Sequence, residues 1–255
     1  TIKKCEIFDN YGSSGGGIAI QRAPYARIIN NHIHDNDSYD TGGIYLHQTD
    51  YPVISNNKLF NNISTSTPGN GGIHLNQNND AYVSGNEIFG NPDVHGITGN
   101  WSQRVVIVGN KIYGSLNAIA FKLDCDYVEI SDNLLYSNTL GIDLDGDYHI
   151  VKSNAVYSSN FGMNIGGGIG LQLIGNQVHH NQAISYPGIR VYGQNQATID
   201  NNQVHHNTAN EQVGGLYVSS CDQLTISNNQ IYENRAYFGS AIKSSDNTNL
   251  YIYNN

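Results

Sequence analysis

One pattern of apolar and polar positions recurs along the chain, apolar-x-x-Asn-x-apolar. Its Asn stands at Asn31, Asn57, Asn86, Asn110, Asn133, Asn154, Asn176, Asn202, Asn229 and Asn255. Three residues before each Asn is an aliphatic side chain, from Ile28 and Ile54 to Ile226 and Ile252. Two residues after each, except the last, is another, from Ile33 to Ile231. The repeat is about 25 residues long. A second pattern interleaves with it: GGIAI at 16–20, GGIYL at 42–46, GGIHL at 71–75 and GGLYV at 214–218, with weaker copies such as HGITG at 95–99 and LGIDL at 140–144. Each copy alternates as a strand with one apolar side. Asn, Gly and Ser clusters between them read as turns, and no segment sustains a helical period.

Two or three short strands per repeat, without helix, predict an all-β fold: a right-handed parallel β-helix, a single-stranded solenoid of about ten coils. One coil cannot bury its own apolar side, but coils stacked at about 4.8 Å share a continuous core. Right-handed crossovers are the rule for parallel strands. The register predicts a core of the ten aliphatic residues that precede the Asn positions, together with Ile18, Ile44, Ile73, Ile97, Ile119, Ile142, Met163, Ile189, Leu216 and Ile242. It also predicts a buried amide ladder of stacked Asn side chains, with Cys5 at the ladder position of the first coil. These repeats resemble those of the pectate-lyase-like superfamily of right-handed parallel β-helices, over the whole of residues 1–255. The resemblance implies the fold; it leaves function open among lyases, epimerases, hydrolases, tail spikes and adhesins.

Composition narrows the partners. The 255 residues carry a net charge of −9 and only 13% charged side chains, beside 36 Asn, 28 Gly and 18 Tyr. No basic stripe suits nucleic acid, and no apolar run approaches the ~20 residues that span a bilayer. Cys5, Cys125 and Cys221 form no metal-ligand spacing. The Asn- and Tyr-rich, Lys-poor composition leans to an extracellular or cell-surface setting. Neither end carries a charged or helical cap, so the reading expects a longer parent chain or end-to-end self-association.

The two arcs of each repeat differ. From the GGI-type Ile to the next Asn the chain takes 12–14 residues, whereas from Asn to the next such Ile it takes 9–16 and is shortest between Asn110 and Met163. Longer loops at both ends would wall a saddle able to hold a linear polymer. Strand alternation puts Lys122, Asp143, Asp145, Asn164, Arg190, Tyr192 and Tyr217 on the outward face of this saddle, with Tyr45, His47, His74 and Asn76 on its other side. Aromatic rings, amides and charges on one face suit a polysaccharide. Asp143, Asp145 and Asp147 also form a short run of carboxylates that suits Ca²⁺, a hard cation, against the plainer reading of an Asp/Gly turn. Nothing in the chain requires another cofactor. The pairs His179-His180 and His205-His206 recur at one repeat position and read first as stacked turn residues, with a metal site as the second reading.

Leu140-Gly-Ile-Asp-Leu-Asp145 resembles the Tyr-Gly-Phe-Asp-Pro-His strand of alginate C5-epimerases and related lyases. Gly141 and Asp143 match and Ile142 stands for Phe, while Leu140, Leu144 and Asp145 replace Tyr, Pro and His. The resemblance implies a uronate polymer as substrate, with Lys122 and Arg190 facing its carboxylates and Asp143 and Asp145 in the catalytic set. Two further readings stand beside a lyase or epimerase. One is a non-catalytic structural or adhesive solenoid; the other is a glycoside hydrolase using Asp143 and Asp145 as its carboxylate pair.

Overall fold

A computed structural model describes residues 1–66, 69–91 and 94–255. The chain winds as a right-handed parallel β-solenoid whose three long sheets run the length of the stack. The first sheet holds the strands before each ladder Asn, such as Arg27–Ile29, Val106–Val108 and Glu129–Ser131. The second holds those just after it, such as His32–His34, Lys111–Tyr113 and Gln203–His205. The third holds the GGI-type strands, from Ile18–Gln21 to Ile242–Ser245. Every pairing between described strands is parallel, and equivalent residues of successive repeats face one another, as Ile107↔Ile130 and Ile119↔Ile142 do.

The expected core is in place, with two exceptions. Ile28, Ile54, Ile107, Ile130, Ile119 and Ile142 have no exposed surface. Ile252 is 46% exposed and Ile242 only partly buried, because theirs is the last of the described coils. The amide ladder runs unbroken. Asn110 Nδ2 donates to Asn133 Oδ1 at 3.0 Å and Asn133 Nδ2 to Asn154 Oδ1 at 2.9 Å, and so on to Asn255. Each rung also meets main-chain groups, as where Asn133 Nδ2 donates to the Ile107 carbonyl. Asn suits the position because one amide supplies both the donors and the acceptor that a buried corner leaves unpaired. Cys5 takes the first rung, its N–H donating to Asn31 Oδ1 at 3.0 Å.

A second ladder follows five residues later. Asn36, Asn62 and Asn91 are buried, and Asn138, Asn181 and Asn207 continue the row, with Ser115 and Ser159 as shorter rungs. Asn36 and Asn62, which also begin Asn-x-Ser/Thr sequons, are therefore internal. The residue before each rung turns the corner at positive φ: Asn56 (56°), Asp132 (55°) and Ser153 (55°) in the first row, Asp35 (52°) and His206 (55°) in the second. Asn, Asp and Gly dominate these corners because they tolerate left-handed backbone best.

Ten rings stack along the outside of the second sheet: Phe8, His34, Phe60, Phe89, Tyr113, Tyr136, Tyr157, His179, His205 and Tyr232. Neighbouring centroids lie 4.6–5.3 Å apart and near-parallel, which is the coil spacing. The variable arc behaves as its lengths predict. It forms extra strands at one end (Tyr11–Gly12, Asp37–Ser38, Ile63–Ser64) and at the other (Gln182–Ala183, Thr208–Ala209), with none between among the described residues. The third sheet is thus flanked at both ends and open at its middle.

Candidate active site on the third sheet

Three outward rows cross the open stretch of the third sheet. Each row is one position of the repeat, carried from coil to coil by the parallel register. The middle row reads Tyr45, His74, Thr98, Ala120, Asp143, Asn164, Arg190, Tyr217 and Lys243. Two residues on, a second row reads His47, Asn76, Asn100, Lys122, Asp145, Gly166 and Tyr192. A third row, two residues before the inward Ile of each strand, contains His95, Asn117, Leu140 and Phe161.

At the centre Lys122 Nζ lies 3.0 Å from Asp143 Oδ1 and 3.2 Å from Asp145 Oδ2. Asn164 Nδ2 donates to Asp143 Oδ1 at 2.8 Å and Asn117 Nδ2 to Asp143 Oδ2 at 3.3 Å. Asp143 is outward, as alternation predicts, yet only 8% exposed, because these neighbours close over it. Burial opposes the Lys122 charge, but Asp143 and Asp145 together outweigh it and raise its pKa. Arg190 Nη1 reaches Asn164 Oδ1 at 3.4 Å, and its guanidinium stacks over Tyr192 (4.4 Å) and Tyr186 (5.2 Å). Arg190 Nε is buried without a hydrogen-bond partner among the described residues. Gly166 permits this packing, since a Cβ there would overlap both Asp145 and Tyr192.

Two hollows flank Asp143. One, about 450 Å³, lies over the small side chain of Ala120 and is lined by Asn70, His95, Thr98, Asn117, Lys122 and Asp143 among others. The other, about 210 Å³, is lined by Leu140, Phe161, Met163, Asn164, Tyr186 and Arg190. His95 is the residue that sequence reasoning missed. Burial lowers its pKa, the Asp143 charge opposing and His74 adding to the fall, so its imidazole is neutral at pH 7. Its signal was the His of HGITG, where the strongest repeats carry Gly. Asn117 and Tyr186 were likewise not singled out.

Several expected contact residues lie elsewhere. Tyr45 and His74 are 7% and 6% exposed and pack edge to face, so they form part of the wall and not a sugar-facing surface. Asn70, which also receives the Thr98 hydroxyl, contacts His74 Nδ1 at 2.8 Å. His47 and Asn76 stay half-buried in the outer row, six and five coils from Arg190, and Tyr217 continues the middle row with its hydroxyl 3.0 Å from Ser245 Oγ. Asp143, Asp145 and Asp147 do not converge. The first two share Lys122, while Asp147 Oδ1 accepts the Ile169 N–H in the turn. Among the described residues no group of three or more His, Cys, Asp or Glu side chains is placed to hold a metal ion, and no helix is long and apolar enough to cross a membrane.

Comparison with known proteins gives three results. Residues 1–112 and 117–255 match the family described as the right handed beta helix region. No curated protein matches the chain in sequence. Similar solved structures include the A-module of the mannuronan C-5 epimerase AlgE6 of Azotobacter vinelandii, with 12% identity and a TM-score of 0.52 over 94% of this chain and 79% of that one. The periplasmic alginate epimerase AlgG gives 15% and 0.51 over 95% of this chain and 61% of that one. The family 28 exopolygalacturonase of Yersinia enterocolitica gives 10% and 0.52 over 82% of this chain and 46% of that one. The chain thus spans less than two thirds of the last two, and at these identities the likeness is one of fold.

Proposed function

The chain belongs to the right-handed β-helix family, and from that premise we propose that it modifies an extracellular or periplasmic polysaccharide containing uronate residues, by β-elimination or epimerisation. The observation that carries this reading is the single hollow over Ala120 that neutral His95 and the Lys122 ammonium both line. Both reactions begin by removing the proton beside a carboxylate. Lys122 neutralises that carboxylate and so acidifies the proton; His95 accepts it as general base. In elimination the electron pair then expels the glycosidic oxygen, while in epimerisation a proton returns to the opposite face.

Asp143 and Asp145 have positioning roles in this scheme. They hold Lys122, and Asn164 links Asp143 to Arg190. Lys122 and Arg190 together balance the two carboxylates, so the floor is near neutral within a chain of net charge −9. That balance removes the local repulsion a polyanion would otherwise meet. A hydrolase using the same pair is less well supported, because both carboxylates are engaged by one ammonium, at 3.0 and 3.2 Å. The similar epimerase structures support a polysaccharide substrate, and the periplasmic one supports the setting.

The test is incubation with alginate, pectate and glycosaminoglycans, reading absorbance of new unsaturated uronates and, by NMR, inverted C5 centres. His95→Gln should lower kcat at least a hundredfold at unchanged fold. Equal activity of His95→Gln and the parent removes His95 as the base, and no product from any polymer removes the enzymatic reading.

A further inference from the structure

The two histidine pairs have a geometry that a plain turn does not need. His179 and His205 are successive members of the ring stack on the second sheet, 4.9 Å apart. His180 and His206 follow them at the corner, with φ of 54° and 55°. Adjacent residues of a strand point to opposite faces. The left-handed corner cancels that alternation and turns each second imidazole onto the first. His179 Nδ1 thereby lies 2.9 Å from His180 Nδ1, and His205 Nδ1 lies 2.8 Å from His206 Nδ1. The paired rings are nearly perpendicular, at 87° and 82°. His34 and Asp35 occupy the same two positions and touch in the same way, at 2.6 Å, so the backbone imposes the approach and the sequence places imidazoles there.

We infer that the His205-His206 pair chelates one divalent transition-metal ion of tetragonal preference, Cu²⁺ before Ni²⁺, through both Nδ1 atoms. The separation selects the metal. With metal–nitrogen bonds of about 2.0–2.1 Å, nitrogens this close subtend about 90°, the cis angle of a tetragonal site and not the wider tetrahedral angle zinc prefers. Two protein nitrogens are fewer than a closed structural centre uses, and water completes the sphere.

One pair is better prepared than the other. His206 Nε2 lies 2.7 Å from Glu233 Oε2, so Nε2–H donates to the carboxylate, which fixes the tautomer whose Nδ1 lone pair faces His205. His180 makes no such contact among the described residues. On binding, His205 keeps its proton count by moving the proton from Nδ1 to Nε2. Glu233 lines the adjoining surface cleft and attracts a cation, against the opposing charge of Arg235. The site stands apart from the third sheet and does not depend on the polysaccharide reading.

The experiment is a Cu²⁺ titration of the untagged protein, read by calorimetry and by electron paramagnetic resonance. The expected result is one tightest ion per chain with hyperfine structure from two imidazole nitrogens. His205→Gln with His206→Gln should weaken it at least a hundredfold, Glu233→Gln about tenfold, and His179→Gln with His180→Gln less than threefold. These side chains are at the surface, and circular dichroism checks that each variant folds. Unchanged affinity in the 205/206 variant, or loss confined to the 179/180 variant, overturns the assignment.

Discussion

Replacing Asn133 by Ala tests whether the amide ladder stabilises the stack or merely decorates it. Asn133 is 2% exposed and makes five side-chain hydrogen bonds. Its Oδ1 accepts from the Asn110 main-chain N–H (2.8 Å) and from Asn110 Nδ2 (3.0 Å). Its Nδ2 donates to the Ile107 carbonyl, the Ser131 carbonyl and Asn154 Oδ1. Truncation leaves at least two buried main-chain groups, the Asn110 N–H and the Ile107 C=O, without this partner. At about 1–3 kcal/mol for each orphaned buried group, the expected loss is about 2–6 kcal/mol. Asn255→Ala is the internal control. Its Oδ1 accepts the same two bonds from Asn229, but the rung is exposed and water can replace it, so the loss should stay below about 1 kcal/mol. Urea unfolding gives the energies. Amide exchange gives the location, because coils of a solenoid couple mainly to their neighbours and the Asn110 and Asn154 coils should lose protection first. An Asn133→Ala chain within 1 kcal/mol of the parent, or no worse than Asn255→Ala, would refute the reasoning.

His74→Gln should make the protein less sensitive to acid. Burial lowers the His74 pKa from its ordinary 6.5 to about 4, so the folded state resists a proton the unfolded state accepts. The stabilisation is therefore full above pH 6.5 and is lost as pH falls towards 4, by up to about 3 kcal/mol; urea midpoints at pH 7 and 4.5 in both proteins measure it. Gly99→Ala should destabilise by about 1–3 kcal/mol, because a Cβ there enters the ring of Phe121 in the next coil, and adding Phe121→Leu should recover part of the loss on thermal unfolding. Lys122→Ala should cost about 1–3 kcal/mol of stability, since it strips the cation from a nearly buried Asp143 that keeps its two amide donors, and abolish turnover; full activity would exclude Lys122 from the carboxylate site. Tyr136→Ala removes one ring from the middle of the stack, with near-parallel neighbours at 4.8 and 5.2 Å, and should cost about 1–3 kcal/mol by denaturant titration.

The coil period, the parallel stacking, the core from Ile28 to Ile226 and the first Asn ladder were legible in the chain, because a solenoid maps sequence repeat onto space one coil at a time. The ladder partners of Asn110 and the strand partners of Ile119 are the same positions of the neighbouring repeats, so register needs no tertiary information. The open middle of the third sheet followed in the same way, from arc length alone. The second ladder was hidden because Ser115 and Ser159 interrupt its Asn, and two residue types share one hydrogen-bonding role. The third sheet's site lay partly beyond the sequence for a different reason. Alternation says which way a side chain points, not whether its neighbours close over it. It therefore put Tyr45, His74 and Asp143 on the outward face without showing that Asn70, Asn117, Asn164 and Lys122 bury them. Likewise it passed over His95, whose relation to Lys122 and Asp143 exists only once three coils stand side by side and Ala120 leaves a gap between them. The last decision of the tertiary structure is at the corner before the second ladder. There a left-handed residue brings the Nδ1 atoms of His205 and His206 within 2.8 Å of each other, although sequence adjacency in a strand would have kept them apart.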